Sequence, residues 1–123
     1  MDHDKITHEI LDSAYKVHSA LGPGLLESAY KTCLVYELKK KGFKVEVEKP
    51  IPLVYEEIKL DCGYRLDILV EDAVIVELKS VECFTEVHTA QVLTYLKLTN
   101  KHLGLLINFN TKSLKNGIKR LIL

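Results

Sequence analysis

Between Tyr64 and Lys79 the chain reads YRLDILVEDAVIVELK, two short apolar runs that each carry charges where buried β-structure normally excludes them. Asp67 interrupts Leu66, Ile68, Leu69 and Val70, whereas Glu77 and Lys79 interrupt Val74, Ile75, Val76 and Leu78. Strand alternation puts Tyr64, Leu66, Ile68, Val70, Val74, Val76 and Leu78 on one face, and Arg65, Asp67, Leu69, Ile75, Glu77 and Lys79 on the other. A two-residue loop at Glu71-Asp72 would pair Asp67 with Val76 and separate the acids. A three-residue loop, Glu71-Asp72-Ala73, sets Asp67 directly across from Glu77, and this turn, or a bulge of the same parity, is the prediction. Two adjacent carboxylates repel unless a cation or a proton intervenes. Oxygen ligands on a rigid sheet beside a lysine suit Mg²⁺ or Mn²⁺, hard ions that keep several waters and complete their shell from phosphate.

The elements that must position these residues follow from hydrophobic period. Ile6, Ile10, Ala14, Val17 and Leu21 predict an amphipathic helix over about 4–21, broken by Gly22-Pro23-Gly24. A second helix should run from Leu25 to about Lys41, with Leu26, Ala29, Tyr30, Cys33, Leu34 and Leu38 as its apolar stripe and Gly42 as its stop. Glu27 near its start suits the helix dipole, and Tyr30, three residues on, faces the same neighbour with a hydroxyl that needs a polar partner, a site carboxylate in this setting. Phe43, Val45 and Val47 alternate with charges as a half-exposed strand, Pro50 and Pro52 mark an edge or turn, and Leu53 to Leu60 is extended around a turn at Glu56-Glu57. Thr85 should cap a third helix from Glu86 to about Leu98, placing Gln91 and Tyr95 on one face with His88. Taken alone, Gln91 and Tyr95 read as polar groups capping the sheet edge, and His88 as a structural histidine. Leu103 to Phe109 is a buried strand beside the Glu77 strand, Asn116-Gly117 is a turn, and Ile118 to Leu123 returns as a strand or short helix. This order gives an α/β domain with a mixed sheet covered by helices, the strand after the third helix running parallel to its neighbour.

Two patterns carry a family resemblance. The spacing of Asp67, Glu77 and Lys79, D-x9-E-x-K, resembles the signature of the PD-(D/E)XK nuclease superfamily, with Leu66 where that motif commonly has proline. Gly24-Leu25-Leu26-Glu27-Ser28-Ala29-Tyr30 reads G-x-x-E-x-x-Y and resembles the GxxExxY family, a small branch of the same superfamily. Gln91 to Tyr95 and Gly104 to Phe109 extend the similarity along nearly the whole chain. The resemblance implies a restriction-endonuclease-like αβββαβ core and hydrolysis of phosphodiester bonds in nucleic acid, DNA foremost. It further implies that Asp67, Glu77 and the Leu78 backbone carbonyl hold one or two Mg²⁺ or Mn²⁺ ions and that Glu27 adds to the shell. Lys79 would position water or stabilise developing charge, and Tyr30, Gln91 and Tyr95 would support metal and substrate.

Composition sets the remaining bounds. The 123 residues suffice for one domain and are too few for two, and nearly half of them are hydrophobic, which excludes a disordered chain. No apolar run reaches membrane-spanning length, and MDHDKITHEI lacks the basic and apolar regions of a signal peptide, so a cytoplasmic location is expected. Cys33, Cys62 and Cys83 are odd in number and widely spaced, which predicts buried free thiols rather than a disulfide or zinc site. Seventeen basic residues balance seventeen acidic ones, leaving Lys39-Lys40-Lys41 and Lys112, Lys115, Lys119 and Arg120 as the local patches able to meet nucleic acid. So small a chain has little surface for gripping a duplex, which favours a homodimer. Three other readings stay open: a nuclease-fold module that binds nucleic acid or protein without cutting, a hydrolase of a smaller phosphate, and a structural ion-pair network among Arg65, Lys79, Asp67 and Glu77.

Overall fold

The computed structural model describes residues 2–61 and 63–123. Two helices, α1 (His3–Leu21) and α2 (Glu27–Lys40), precede strands β1 (Val45–Pro50), β2 (Leu53–Tyr55), β3 (Ile58–Leu60), β4 (Arg65–Val70) and β5 (Val74–Lys79). Helix α3 (Glu86–Thr99) then leads to β6 (Leu103–Asn108), a short 3-10 turn and β7 (Ile118–Ile122). Five strands form one sheet in the order β1-β4-β5-β6-β7, and β2 and β3 make a separate hairpin turning at Glu56-Glu57. Within the large sheet β5 and β6 are parallel, as the crossover through α3 requires, and the other neighbours are antiparallel. The sequence of α2, β1, β4, β5, α3 and β6 is the restriction-endonuclease-like αβββαβ core, with a mixed sheet flanked by helices.

The sheet is buried on both faces. Ile6, Ile10, Ala14 and Val17 of α1 and Tyr30, Leu34 and Leu38 of α2 pack against Ile68, Val70, Val74, Val76 and Leu78. Val92, Tyr95 and Leu96 of α3 cover Leu69, Ile75 and Leu106 on the opposite face. A sheet covered on both sides reads as near-continuous apolar runs, which is why β5 and β6 show so little polar alternation.

Several expectations are corrected at the ends of elements. Leu26 precedes α2 as its cap and is 78% exposed, and Leu21 is also exposed, because both helices end at the Gly22–Leu26 loop rather than over the sheet. Leu66 packs with Ile51 and the α3 layer instead of with Ile68, and Tyr64 is exposed. The cause lies beside them: Glu48 adopts φ 53, and the β1–β4 pairing skips from Val47↔Ile68 to Lys49↔Leu66, so strict alternation fails across that step. Cys33 is half-buried and Cys83 is exposed in the loop before α3, so only the absence of pairing fits expectation there; Cys62 lies outside the described residues. No helix among the described residues is long and apolar enough to cross a membrane.

Gly117 closes the molecule. A Cβ there would overlap the Asn108 carbonyl oxygen, so only glycine lets the 3-10 turn Leu114–Gly117 pass under the end of β6 and lead into β7.

Candidate functional site

Turn length decides whether the two acids meet. The β4–β5 pairs are Ile68↔Val76, Leu69↔Ile75 and Val70↔Val74, which leaves Glu71-Asp72-Ala73 as the three-residue connection, with Glu71 and Asp72 both at positive φ. One further step of this register puts Asp67 opposite Glu77. Regular pairing ends there, and the carboxylates take over its hydrogen bonds. The Leu78 N–H donates to Asp67 Oδ2 at 3.0 Å, and the Asp67 N–H donates to Glu77 Oε1 at 3.4 Å. Glu77 remains on the parallel ladder to β6, across from Leu106, which fixes its backbone.

Glu77 is 3% exposed. Burial, then the hydrogen bond its acid form makes to Asp67, then the Asp67 charge push its carboxyl up to about 9, while Lys79 pulls the other way. Tyr95 on α3 is also raised, by burial and then by the charges of Glu77 and Asp67, which puts its hydroxyl within electrostatic reach of the pair. Gln91, one turn earlier on α3, accepts from Lys79 Nζ at 3.4 Å. Lys79 therefore lies on the acid face but forms no ion pair within 4.0 Å of either carboxylate; its ammonium is drawn toward α3. Arg65 donates to the Glu48 carbonyl at 3.4 Å instead of joining the acids, so the ion-pair network among Arg65, Lys79, Asp67 and Glu77 is not formed.

Glu27 opens α2 on the other side of the pair. Burial first, then the Asp67 charge, raise its carboxyl above the usual range, with Lys79 and Lys31 opposing. Tyr30 does not reach this cluster. It is fully buried, stacked on Phe109 at 4.6 Å between ring centres, and its hydroxyl donates to the Gly22 carbonyl at 2.6 Å while accepting the Leu25 N–H at 3.0 Å. The expectation of a carboxylate partner for Tyr30 is corrected accordingly: the loop supplies the two partners, because the ring is anchored beneath Gly22–Leu25. The Ser80 hydroxyl donates to the Leu25 carbonyl at 2.7 Å, tying this loop to the end of β5. In this geometry the spacing of Gly24, Glu27 and Tyr30 has a mechanical meaning: the tyrosine clamps the loop that delivers the glutamate.

Lys31 and Glu48 beside the acids, and Asn108 behind Lys79, escaped the sequence reading of the site. Lys31 hydrogen-bonds the Glu48 carboxylate and lies 3.9 Å from Asp67 Oδ1. Burial alone would lower the Lys31 ammonium, but the Glu48 hydrogen bond and the charges of Asp67, Glu48 and Glu27 outweigh it and raise it. Its place one helical turn after Glu27 was the available signal. Asn108, buried at the end of β6, accepts the Val81 and Asn110 N–H groups and donates to the Val81 carbonyl, holding the segment that follows Lys79. His88, by contrast, completes a capping box with Thr85 and is structural.

The donor chemistry suits a hard divalent cation, because two carboxylates meet on adjacent central strands and the buried one favours its proton when no cation balances it. Only two acids meet in this way: among the described residues no group of three or more His, Cys, Asp or Glu side chains converges to hold a metal. A hollow of about 400 Å³ between α3 and β7, lined by Phe84, Thr85, Glu86, Thr89 and Lys119 among others, contains neither Asp67, Glu77 nor Lys79.

A family model described as the PD-(D/E)XK nuclease superfamily matches residues 4–121, whereas no curated protein and no solved structure gives a significant match. With all but a few terminal residues inside that match, the chain belongs to the PD-(D/E)XK nuclease superfamily.

Proposed function

We propose that this chain is a metal-dependent nuclease that hydrolyses phosphodiester bonds in nucleic acid, with DNA as the foremost substrate. The observation that carries the reading is the meeting of Asp67 and Glu77 at the point where the β4–β5 ladder ends, with Lys79 on the same face. Membership of a nuclease superfamily supports a nucleic-acid substrate in general, and the superfamily's usual dependence on divalent metals agrees with the paired acids. The Gly24, Glu27 and Tyr30 pattern supports the narrower GxxExxY branch. Both helical layers pack on one sheet, in keeping with a single domain over residues 1–123. A homodimer would widen the surface offered to a duplex, which sedimentation at working concentration reads directly.

In this reading Asp67, Glu77 and the Leu78 carbonyl would hold Mg²⁺ or Mn²⁺, and Glu27 would supplement them from the start of α2. The bound ion supplies Lewis-acid chemistry, lowering the pKa of water and screening the scissile phosphate. With a cation there, the ion's charge rather than a proton would balance the buried Glu77 carboxylate. Lys79 places a positive charge where negative charge grows on the phosphate oxygens, and Gln91 holds that ammonium in position. Tyr95, buried with Leu69 and Ile75 on the α3 side, would support the pair from that layer.

Labelled single- and double-stranded DNA and RNA, incubated with the protein in Mg²⁺, Mn²⁺ or EDTA, test the function. Cleavage of at least one nucleic acid in metal but not in EDTA is expected, reduced roughly a hundredfold or more by Lys79→Ala. A folded protein that binds nucleic acid and cuts none in either metal would support the second reading, a non-cutting module, which the convergence of only two acids favours.

A further inference from the structure

Glu27 and Lys31 lie four residues apart on α2, so one helical face presents both of them toward Asp67 of β4. Asp67 divides its oxygens between two partners. Its Oδ2 is pinned by the Leu78 N–H, whereas Oδ1 faces the Lys31 ammonium at 3.9 Å. Lys79 is drawn to the other layer, toward Gln91 on α3. Two ammonium groups, one from α2 and one from β5 turned toward α3, therefore flank one acid pair.

The partner of Lys31 is unusual in its backbone. Glu48 sits across from Asp67 at φ 53, a region that a long side chain adopts at a cost, and it does so where the β1–β4 pairing is interrupted. A surface strut alone would gain little from this arrangement, because exposed pairs contribute weakly to stability. The Lys31 side chain is 19% exposed and Glu48 is 45% exposed, so the lysine is held in place by a partner that solvent can reach and a ligand can replace.

We propose that Lys31 is a phosphate-contacting residue of this site, its ammonium exchanging the Glu48 carboxylate for a non-bridging oxygen of the bound nucleic acid. The inference rests on the nuclease reading given above and assigns to it a residue that the D-x9-E-x-K pattern does not contain. No covalent step is involved; one ion pair is exchanged for another, and Glu48 is released to water.

Binding measured in EDTA, where no variant cuts, separates the two claims. The probes are a fluorescein-labelled mixed-sequence DNA duplex and its single strand, titrated by anisotropy across a range of salt concentrations. Lys31→Met should raise Kd roughly tenfold and lower the slope of log Kd against log salt for the duplex by about 0.9, the share of one phosphate contact. Lys31→Arg, which keeps the charge, should keep the slope. Folding of each variant is followed by circular dichroism, and Lys31→Gln serves if the methionine variant is unstable. A folded neutral variant with wild-type Kd and slope overturns the proposal and leaves the nuclease reading standing. Failure of the wild type to bind either probe while cleaving RNA overturns it for DNA, and failure to bind or cleave any nucleic acid overturns both.

Discussion

At the scale of single residues, the chemistry turns on a buried carboxyl that is uncomfortable without a cation. Glu77 has a folded-state pKa of about 9 against an ordinary 4.5, so the metal-free fold binds its proton more tightly than the unfolded chain does. The stabilising contribution is complete below about pH 4.5 and is lost progressively as pH rises toward 9, at up to about 1.4 kcal/mol per unit. Urea midpoints in EDTA should therefore fall between pH 6 and pH 8, and Glu77→Gln should flatten that slope while leaving the protein folded. An unchanged slope in the variant would place the pH dependence elsewhere. The acid pair itself was legible in the sequence, because charges inside apolar strand runs demand a reason and only one loop length brings Asp67 and Glu77 together. Lys31 was signalled only by its place one helical turn after Glu27, and its pairing with Glu48 was not legible. Their importance comes from a left-handed backbone at Glu48 that no side-chain pattern announces.

At the scale of elements, the acids are supported by three devices: the Glu71-Asp72-Ala73 turn, the loop between α1 and α2, and the Asn108 anchor behind Lys79. The second rests on Tyr30, whose hydroxyl serves both the Gly22 carbonyl and the Leu25 N–H. Tyr30→Phe should cost roughly 1–3 kcal/mol by leaving those groups unpaired. It should also slow cleavage less than loss of Glu77 does, because it loosens Glu27 without removing a carboxylate. Stability equal to the wild type would mean that water replaces the hydroxyl at no cost. Helix periods, the Thr85 cap and the buried β6 run were all readable, since each is a local pattern. The side on which Leu66 packs was not, because alternation holds only while a ladder stays regular and this one breaks at Glu48. Leu26 misled for a related reason: its position fits the helical stripe, but the helix begins one residue later.

At the scale of the whole molecule, seventeen basic residues balance seventeen acidic ones, so no net positive charge draws nucleic acid to the chain. Lys41 pairs with Glu9 and Asp12, Lys40 with Glu37, and Arg120 with Asp4, whereas Lys39, Lys112, Lys115 and Lys119 of the same clusters join none of the ion pairs among the described residues. Attraction focused on the scissile phosphate would come from the site itself, from Lys79, Lys31 and a bound divalent ion acting together. That dependence makes ion binding the central claim. Titrating Mn²⁺ into the metal-free protein and following the resonance of free Mn²⁺ measures it without any substrate. The account predicts saturable binding by the wild type, weakened at least tenfold in Asp67→Asn and in Glu77→Gln, consistent with the loss of a direct ligand. No binding by the wild type, or equal binding by both folded variants, would contradict it.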